Sequence, residues 1–151
     1  MPRIVREANV VWDGTISRGA GVVEARSSGA FALPVTIASR VGDPEGKTSP
    51  EELLAAAHAT CYVTSLGSEL ARARTPPERL NVHCTIVMDE VKGIGHRIVA
   101  TAIVASGAVP GCDSAAFAQA AETADQGCSF SALIRASATV TIDANLEQGE
   151  G

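Results

Sequence analysis

A long apolar segment between two strong boundary signals is the feature that most constrains the fold. The segment begins at Ser49-Pro50-Glu51-Glu52 and ends before Pro76-Pro77. Serine caps helices well, proline is tolerated at the first helical position, and carboxylates favour the positive end of the helix dipole. We therefore predict a helix over residues 50–74, stopped by the two prolines. Because residues 53–70 are apolar nearly all round, we expect this helix to be central and buried.

Segments typical of strands lie on both sides of this helix. We predict strands near residues 3–12, 20–26, 30–38, 79–90, 95–106 and 135–143, with a loop over 40–50. The first three strands are expected to form a meander, and those over 79–90 and 95–106 a hairpin. A second helix is predicted from about Ser114 to Gln126, followed by a single helical turn at 128–131. This grouping is typical of an α+β fold with antiparallel sheets around a long central helix. We expect one domain over 1–151, with residues 145–151 as a frayed tail.

Composition and charge exclude several classes of protein. With 46% hydrophobic and 19% charged residues, the chain is typical of a globular protein and unlike a disordered one. The net charge of −5 argues against nucleic acid as a partner, because phosphates require a basic face. The sequence has no apolar run of about 18 residues, so we expect no membrane span. The N-terminal residues lack the apolar core of a signal peptide, so a cytoplasmic protein is expected.

Cys61 and Cys128 are the candidate reactive groups, and the residues alone leave two interpretations open. The two cysteines could be small buried apolar side chains, or a redox pair whose sulfurs meet in the fold. A peroxide-reducing cysteine must react as a thiolate, and burial opposes that charge unless a cation is near. Arg40, Lys47 and Arg18 are the candidate cations, and the planar guanidinium of an arginine suits a sulfur and a peroxide oxygen together.

Glu51 is the carboxylate predicted to orient that arginine. It lies on the same i, i+3/i+4 stripe of the predicted helix as Leu54, His58 and Cys61. Glu51 and Cys61 are about 15 Å apart along the axis at 1.5 Å per residue. Glu51 therefore cannot touch the sulfur, and an arginine that bridges the two groups is the easier arrangement.

A metal or cofactor site is not predicted. His58 and Cys61 have helical i, i+3 spacing, and His83-Cys84 could add two ligands. However, the sequence has no CxxC motif, and neighbouring residues of a strand point to opposite faces. We expect His58 to be a satisfied core or interface histidine and Cys84 and Cys112 to be structural. The sequence has no P-loop or dinucleotide motif, so no cofactor is expected.

The run Lys47–Cys61, KTSPEELLAAAHATC, closely resembles the signature of the OsmC/Ohr family, in which T-N-P-E-E-L is followed by A-x-C on one helix. Gly127-Cys128-Ser129 matches the second family cysteine, Val109-Pro110-Gly111 a family V-P-G, and Val11-Trp12-Asp13-Gly14 the first strand and turn. The resemblance spans residues 8–143. Ser49 stands where Asn is more usual, and Ser129-Phe130 where Pro-Val is more usual.

The resemblance implies a thiol-dependent peroxidase that reduces organic hydroperoxides and, less well, hydrogen peroxide. In this scheme Cys61 becomes a sulfenic acid, Cys128 resolves it to an intramolecular disulfide, and an external lipoyl-type dithiol reduces the disulfide. The activating arginine is Arg40 in the OsmC branch and Arg18 in the Ohr branch, and we favour Arg40, oriented by Glu51. The family fold is an intertwined homodimer with active sites at the subunit interface, which would explain a helix that is apolar all round.

A non-catalytic member of the same fold that binds a hydrophobic small molecule is the alternative. Its cysteines would only pack. An enzyme is expected to lose one or two titratable thiols to a stoichiometric organic hydroperoxide, whereas a binding protein should keep all four.

Overall fold

The structure is a computed structural model that describes residues 2–148 of the 151-residue chain. The chain divides into two compact units, Met1–Leu53 and Leu54–Gly151. Both units mix strands with helices, and the α+β class predicted from the sequence is confirmed.

The first unit contains the predicted meander of three antiparallel strands. These are β1 (Ala8–Asp13), β2 (Ala20–Ala25) and β3 (Ala32–Val35), in the sheet order β1-β2-β3. Gly14, at the predicted turn after β1, has φ +91°, a conformation that glycine adopts without steric cost. Strand β1 begins at Ala8 rather than at residue 3 as predicted.

A short helix, α1 (Ile37–Val41), replaces the end of the predicted third strand and the start of the predicted loop. Thr36 is its cap: the Thr36 hydroxyl accepts from the N–H of Ser39, and the Ser39 hydroxyl accepts from the N–H of Thr36. This reciprocal capping satisfies two backbone donors that extended chain would leave to a neighbouring strand. The strand and loop predicted for these residues are therefore wrong.

The long helix α2 (Pro50–Arg72) begins where predicted and ends two residues early. Its buried residues are His58, Tyr62, Leu66 and Leu70, a single i, i+4 stripe. The expectation of a helix buried all round is wrong for this chain, because only that face packs against the core of the second unit. The apolar residues on its other faces are half-buried or exposed.

The second unit contains a sheet of the order β4-β5-β6, with two helices between β5 and β6. Strands β4 (Arg79–Val91) and β5 (Gly95–Ala108) form the predicted antiparallel hairpin. Helices α3 (Ser114–Gly127) and α4 (Ser129–Arg135) follow. Cys128 is both the C-cap of α3 and the N-cap of α4. Helix α4 extends the predicted single turn to seven residues.

The last strand, β6 (Thr139–Leu146), corrects two predictions. It pairs parallel to β5, since the two intervening helices bring the chain back in the same direction, whereas an antiparallel sheet was expected. Asn145 and Leu146 pair with Ser106 and Gly107, and the Glu147 N–H donates to the Gly107 carbonyl at 2.7 Å. A frayed tail from residue 145 is therefore wrong for these residues, and 149–151 lie outside the described residues.

The core of the second unit is formed by α2, β5 and α3. Its largest buried side chains are apolar or polar groups with internal partners: Tyr62, Phe117, Leu66, Leu70, Ile103, His58, Thr101, Cys128 and Ser131. Within residues 2–148, none of the helices is both long and apolar enough to cross a bilayer.

Candidate active site

Two thiols from distant parts of the sequence meet in the second unit. Cys61, in the middle of α2, and Cys128, between α3 and α4, have their Sγ atoms 3.2 Å apart. Both are free thiols, with Cys61 half-buried and Cys128 fully buried. Because a disulfide bond is about 2.05 Å long, about 1 Å of movement would join the sulfurs. The pair therefore has the geometry of a reversible dithiol.

The Sγ of Cys61 faces the first turn of α4. Burial raises the pKa of the Cys61 thiol, but the backbone N–H of Phe130, the Cys128 thiol and the hydroxyl and N–H of Ser129 all stabilise the thiolate. Together these donors outweigh burial and hold the Cys61 pKa below its ordinary value. The first N–H groups of a helix lack partners within it, so the start of α4 supplies donors without a cation.

The pKa of the Cys128 thiol is shifted in the opposite direction, above its ordinary value. Burial raises the pKa of the Cys128 thiol, and the neighbouring Cys61 sulfur raises it further, against the N–H and hydroxyl of Ser131. Cys128 is thus the thiol that donates to Cys61, and its own sulfur accepts from the Ser131 N–H at 3.5 Å. The two sulfurs are chemically unequal, with the nucleophilic form on Cys61.

His58 lies behind Cys128 and is completely buried. Its Nε2 is 2.8 Å from the Ser131 Oγ, and its Nδ1 is 3.0 Å from the Thr101 Oγ1. Burial is the main cause that lowers the pKa of His58, and Arg135 adds to it against the opposing charge of Asp125. The prediction of a satisfied core histidine is confirmed.

Cys84, on β4, packs against the Thr101 hydroxyl that also contacts His58. Its Sγ is 3.3 Å from the Thr101 Oγ1 and 3.8 Å from His58 Nδ1. Burial raises the pKa of the Cys84 thiol, and the Thr101 hydroxyl only partly opposes this. Cys112, at the turn before α3, is half-buried, with its thiol directed to the Asp113 carbonyl at 3.4 Å.

Arg40 and Glu51 form an ion pair in the first unit. The Arg40 Nε and Nη2 lie 3.0 and 2.9 Å from the same oxygen, Oε1 of Glu51. The Arg40 side chain is 42% exposed and that of Glu51 is 15% exposed. Glu51 Oε2 is buried and has no hydrogen-bond partner among the described residues. Arg18 is exposed in the turn before β2, and among residues 2–148 it forms no salt bridge.

An apolar cavity of about 360 Å³ lies beside this ion pair within the first unit. Its walls are Val10, Trp12, Ile16, Val23, Val35, Thr36, Ile37, Arg40, Ser49, Pro50 and Leu53. Arg40 is the one charged residue of this lining. The cavity therefore offers an apolar surface with a guanidinium at its boundary.

The residues considered as metal ligands are not arranged as a metal site. Within residues 2–148, no group of three or more His, Cys, Asp and Glu side chains is positioned to hold a metal ion. The two ring nitrogens of His58 are occupied by hydroxyl groups instead.

A half-buried thiol with a lowered pKa, in contact with a buried thiol on a mixed α+β fold, defines a cysteine-dependent redox protein. Residues 42–143 match the family model described as OsmC-like protein. Peroxiredoxin OsmC of Escherichia coli K12 is 31% identical over 144 residues, which is 95% of this chain and 98% of that protein. This chain belongs to the OsmC family and is a cysteine-based peroxidase.

Solved structures share the fold at lower identity. An organic hydroperoxide resistance protein OsmC from Legionella pneumophila matches with a TM-score of 0.75 at 19% identity, over 95% of this chain and 99% of that chain. An OsmC-like protein from Mycoplasma pneumoniae matches with a TM-score of 0.77 at 9% identity, over 96% and 99% of the two chains. The arrangement of strands and helices is therefore shared by proteins with very different sequences.

The groups that surround the two sulfurs were not predicted from the sequence. Cys61 and Cys128 were candidates, but the donors at Ser129 and Phe130 and the link from Ser131 to His58 were not. One signal was present: Cys128-Ser129-Phe130-Ser131 follows the end of α3 and has the small polar residues typical of a helix start. The partners of His58 carry no comparable signal, since Thr101 and Ser131 lie far from it in the sequence.

Proposed function

We propose that the protein reduces organic hydroperoxides, and hydrogen peroxide less well, through a sulfenic acid on Cys61. The Cys61 thiolate attacks the terminal oxygen of R–O–O–H, an S–O bond forms, and the O–O bond breaks. The alkoxide leaves with the electron pair of that bond and takes a proton to become the alcohol. Cys61 is oxidised to Cys61–SOH and the hydroperoxide is reduced.

The inequality of the two thiols is the single observation that carries this proposal. A thiol is a poor nucleophile, so the attacking cysteine must hold a stable thiolate. The four donors at Cys61 lower its pKa, while burial raises that of Cys128. This division favours Cys61 as the peroxidatic residue and Cys128 as the resolving one.

The 3.2 Å separation supports the second step. The Cys128 sulfur loses its proton and attacks the sulfur of Cys61–SOH, the disulfide forms, and the S–O bond breaks as the hydroxyl of the sulfenic acid gains a proton and leaves as water. Fast closure of this kind protects Cys61 from a second peroxide, which would give the sulfinic acid.

Arg40, oriented by Glu51, is proposed to stabilise the Cys61 thiolate and the peroxide oxygens. Both nitrogens that pair with Glu51 approach one carboxylate oxygen, which holds the guanidinium plane in one orientation. Arg18 is the second candidate for this role. Within the first unit, the apolar cavity beside Arg40 provides a surface that suits a carbon chain.

The remaining parts of the proposal concern the reductant, the assembly and the compartment. An external dithiol of the lipoyl type is proposed to reduce the disulfide at Cys61, which is the more exposed sulfur. A homodimer is proposed because α2 keeps half-buried apolar residues outside its buried stripe, and Val10, Val11 and Val22 are exposed on β1 and β2. Four free cysteines favour a cytoplasmic protein, where thiols stay reduced.

Steady-state kinetics test the substrate and the reductant together. The full chain is assayed with cumene hydroperoxide and with hydrogen peroxide, each with dihydrolipoamide or with a thioredoxin system as reductant. We expect a higher kcat/KM for cumene hydroperoxide and turnover with dihydrolipoamide. A higher kcat/KM for hydrogen peroxide would contradict the proposed substrate class, and turnover with thioredoxin alone would contradict the proposed reductant.

A further inference from the structure

The hydrogen bonds around Cys128 continue inward to a group that the proposed peroxidase cycle does not use. Cys128 contacts Ser131 through the backbone N–H at 3.5 Å, and the Ser131 side chain also lies next to the Cys128 sulfur. The Ser131 hydroxyl is 2.8 Å from His58 Nε2. His58 and Ser131 are both fully buried, so this line of groups is closed to solvent.

Resting on the proposed function, we propose that His58 is a positioning residue that takes up the Cys128 proton through the Ser131 hydroxyl when the disulfide forms. In this step the Cys128 Sγ–H donates to the Ser131 Oγ as the Ser131 O–H passes its proton to His58 Nε2. The Cys128 electron pair then forms the S–S bond. The S–O bond of Cys61–SOH breaks, and its hydroxide takes a proton from solvent to leave as water.

The proposed relay uses the tautomer of His58 that carries its proton on Nδ1 and leaves Nε2 free to accept one. In this tautomer the Nδ1–H donates to the Thr101 hydroxyl, 3.0 Å away, and that hydroxyl donates to the Cys84 sulfur at 3.3 Å. The Ser131 hydroxyl then donates to Nε2. Burial and Arg135 lower the pKa of His58 against Asp125, so the ring is neutral before the step.

The proposed proton relay gives the buried Cys128 thiol a route by which it can lose its proton. Cys128 is fully buried and its pKa is raised, so at neutral pH its proton is not lost readily to water. After Cys61 is oxidised, the negative charge that Cys128 faced is gone, and its S–H can turn to the Ser131 hydroxyl. The charged and titratable groups around His58 are Cys84 on β4, Asp125 on α3, Arg135 on α4, and Cys128 beyond Ser131.

The test separates the two chemical steps in a single turnover. Reduced protein is mixed with one equivalent of cumene hydroperoxide and quenched at intervals, and Cys61 sulfenic acid and Cys61–Cys128 disulfide are quantified by mass spectrometry from pH 5.5 to 9.5. The variant His58→Gln can still accept the Ser131 hydrogen bond through its amide oxygen, but it cannot take up a proton. We expect unchanged sulfenic acid formation and disulfide formation slower by at least about tenfold at neutral pH.

The pH profile distinguishes proton uptake from simple packing. In the wild type, disulfide formation should fall as the pH drops below the lowered pKa of His58, because a protonated ring cannot accept. In His58→Gln it should instead rise with pH towards the raised pKa of Cys128. A disulfide rate in His58→Gln that equals the wild-type rate across this range would overturn the inference.

Two further variants keep the inference testable if His58→Gln does not fold. Ser131→Ala removes only the relaying hydroxyl and should slow the disulfide step similarly, whereas Ser131→Thr, which retains a hydroxyl, should restore it. Tyr62→Phe is the matched control, because it removes another buried hydrogen bond of α2, from the Tyr62 hydroxyl to the Ala121 carbonyl. A wild-type disulfide rate in Ser131→Ala would overturn the inference alone, whereas a wild-type protein that forms no sulfenic acid would overturn the proposed function and the inference with it.

Discussion

The surroundings of Cys61 and Cys84 differ in a way that explains which thiol is reactive. Both side chains are half-buried in the second unit, and burial raises the pKa of each. At Cys61 the start of α4 and the Cys128 thiol supply several donors, and the pKa falls below its ordinary value. At Cys84 a single hydroxyl, that of Thr101, opposes burial and does not overcome it.

The comparison shows that hydrogen-bond donors, rather than the degree of burial, decide where the thiolate forms. The N–H groups of a strand such as β4 lie in the plane of the sheet, whereas the Cys84 side chain stands on one face of it, so these groups do not reach the Cys84 sulfur. The first turn of a helix has N–H groups without intrahelical partners, and the Cys61 sulfur lies in front of them. Backbone topology therefore sets the chemistry of two otherwise similar side chains.

Replacement of the Cys61 sulfur is expected to have the largest effect on hydroperoxide consumption. Cys61→Ser is expected to reduce the consumption of cumene hydroperoxide to the uncatalysed background, because the serine hydroxyl is not ionised at neutral pH. The matched variant Cys84→Ser should keep at least about half of the wild-type rate, since this thiol is protonated. Near-normal consumption by Cys61→Ser would show that another thiol attacks the peroxide.

Replacement of the resolving sulfur should preserve the first step and abolish the second. Cys128→Ser is expected to consume about one equivalent of hydroperoxide and then to accumulate sulfenic or sulfinic acid on Cys61, as read by peptide mass spectrometry. Cys112→Ser serves as the control and should form the disulfide normally. Sustained turnover by Cys128→Ser with dihydrolipoamide would contradict the resolving role.

Loss of the guanidinium should have the next largest effect. Arg40→Ala is expected to slow the reaction of Cys61 with hydroperoxide by about 10- to 100-fold, because stabilisation of the thiolate and of the developing alkoxide is lost. Arg18→Ala should change this rate by less than about twofold. The reverse order in stopped-flow measurements would assign the role to Arg18.

The pH dependence of alkylation compares the two thiols directly. With iodoacetamide, the Cys61 rate should reach half its maximum at a lower pH than the rates of Cys84 and Cys128, because the thiolate reacts and only the Cys61 pKa is lowered. Site-resolved mass spectrometry after short exposures gives each profile. A Cys61 midpoint at or above that of Cys84 would remove the proposed difference.

Removal of one backbone donor should have the smallest effect. Ser129→Pro deletes both the N–H and the hydroxyl of Ser129 at the first position of α4, where proline is compatible with a helix, and Ser129→Ala deletes the hydroxyl alone. In Ser129→Pro the Cys61 pKa should rise, and its reaction with hydroperoxide at neutral pH should slow by roughly two- to fivefold. Ser129→Ala keeps the N–H and loses only the hydroxyl, 3.8 Å from the sulfur, so a slower reaction than in Ser129→Pro would be contrary to the account.

The sequence predicted those features that local chemistry determines. The start of α2 follows from Ser49 and Pro50, and the β4–β5 hairpin follows from two strand patterns around Gly93. It did not predict α1, because Thr36, Ile37 and Ala38 fell within a predicted strand, and Arg40 and Val41 within a predicted loop. The parallel pairing of β6 depends on how α3 and α4 return the chain, which no local pattern records.

The residues of the candidate site also differ in whether the sequence alone could identify them. Cys61, Cys128, Arg40 and Glu51 were named from residue type and family resemblance, while the contact of the two sulfurs requires the fold. Phe130 acts through its backbone N–H group, which every residue except proline possesses, so residue type could not identify it. The roles of Arg40 and Glu51 stay predictions.

Disulfide mapping after one equivalent of cumene hydroperoxide shows whether Cys61 and Cys128 are the redox pair. Reduced protein is oxidised, its remaining thiols are alkylated, and peptides are identified without reduction. We expect one intramolecular disulfide between Cys61 and Cys128, with Cys84 and Cys112 alkylated. Four alkylated thiols, or a disulfide that includes Cys84, would contradict it.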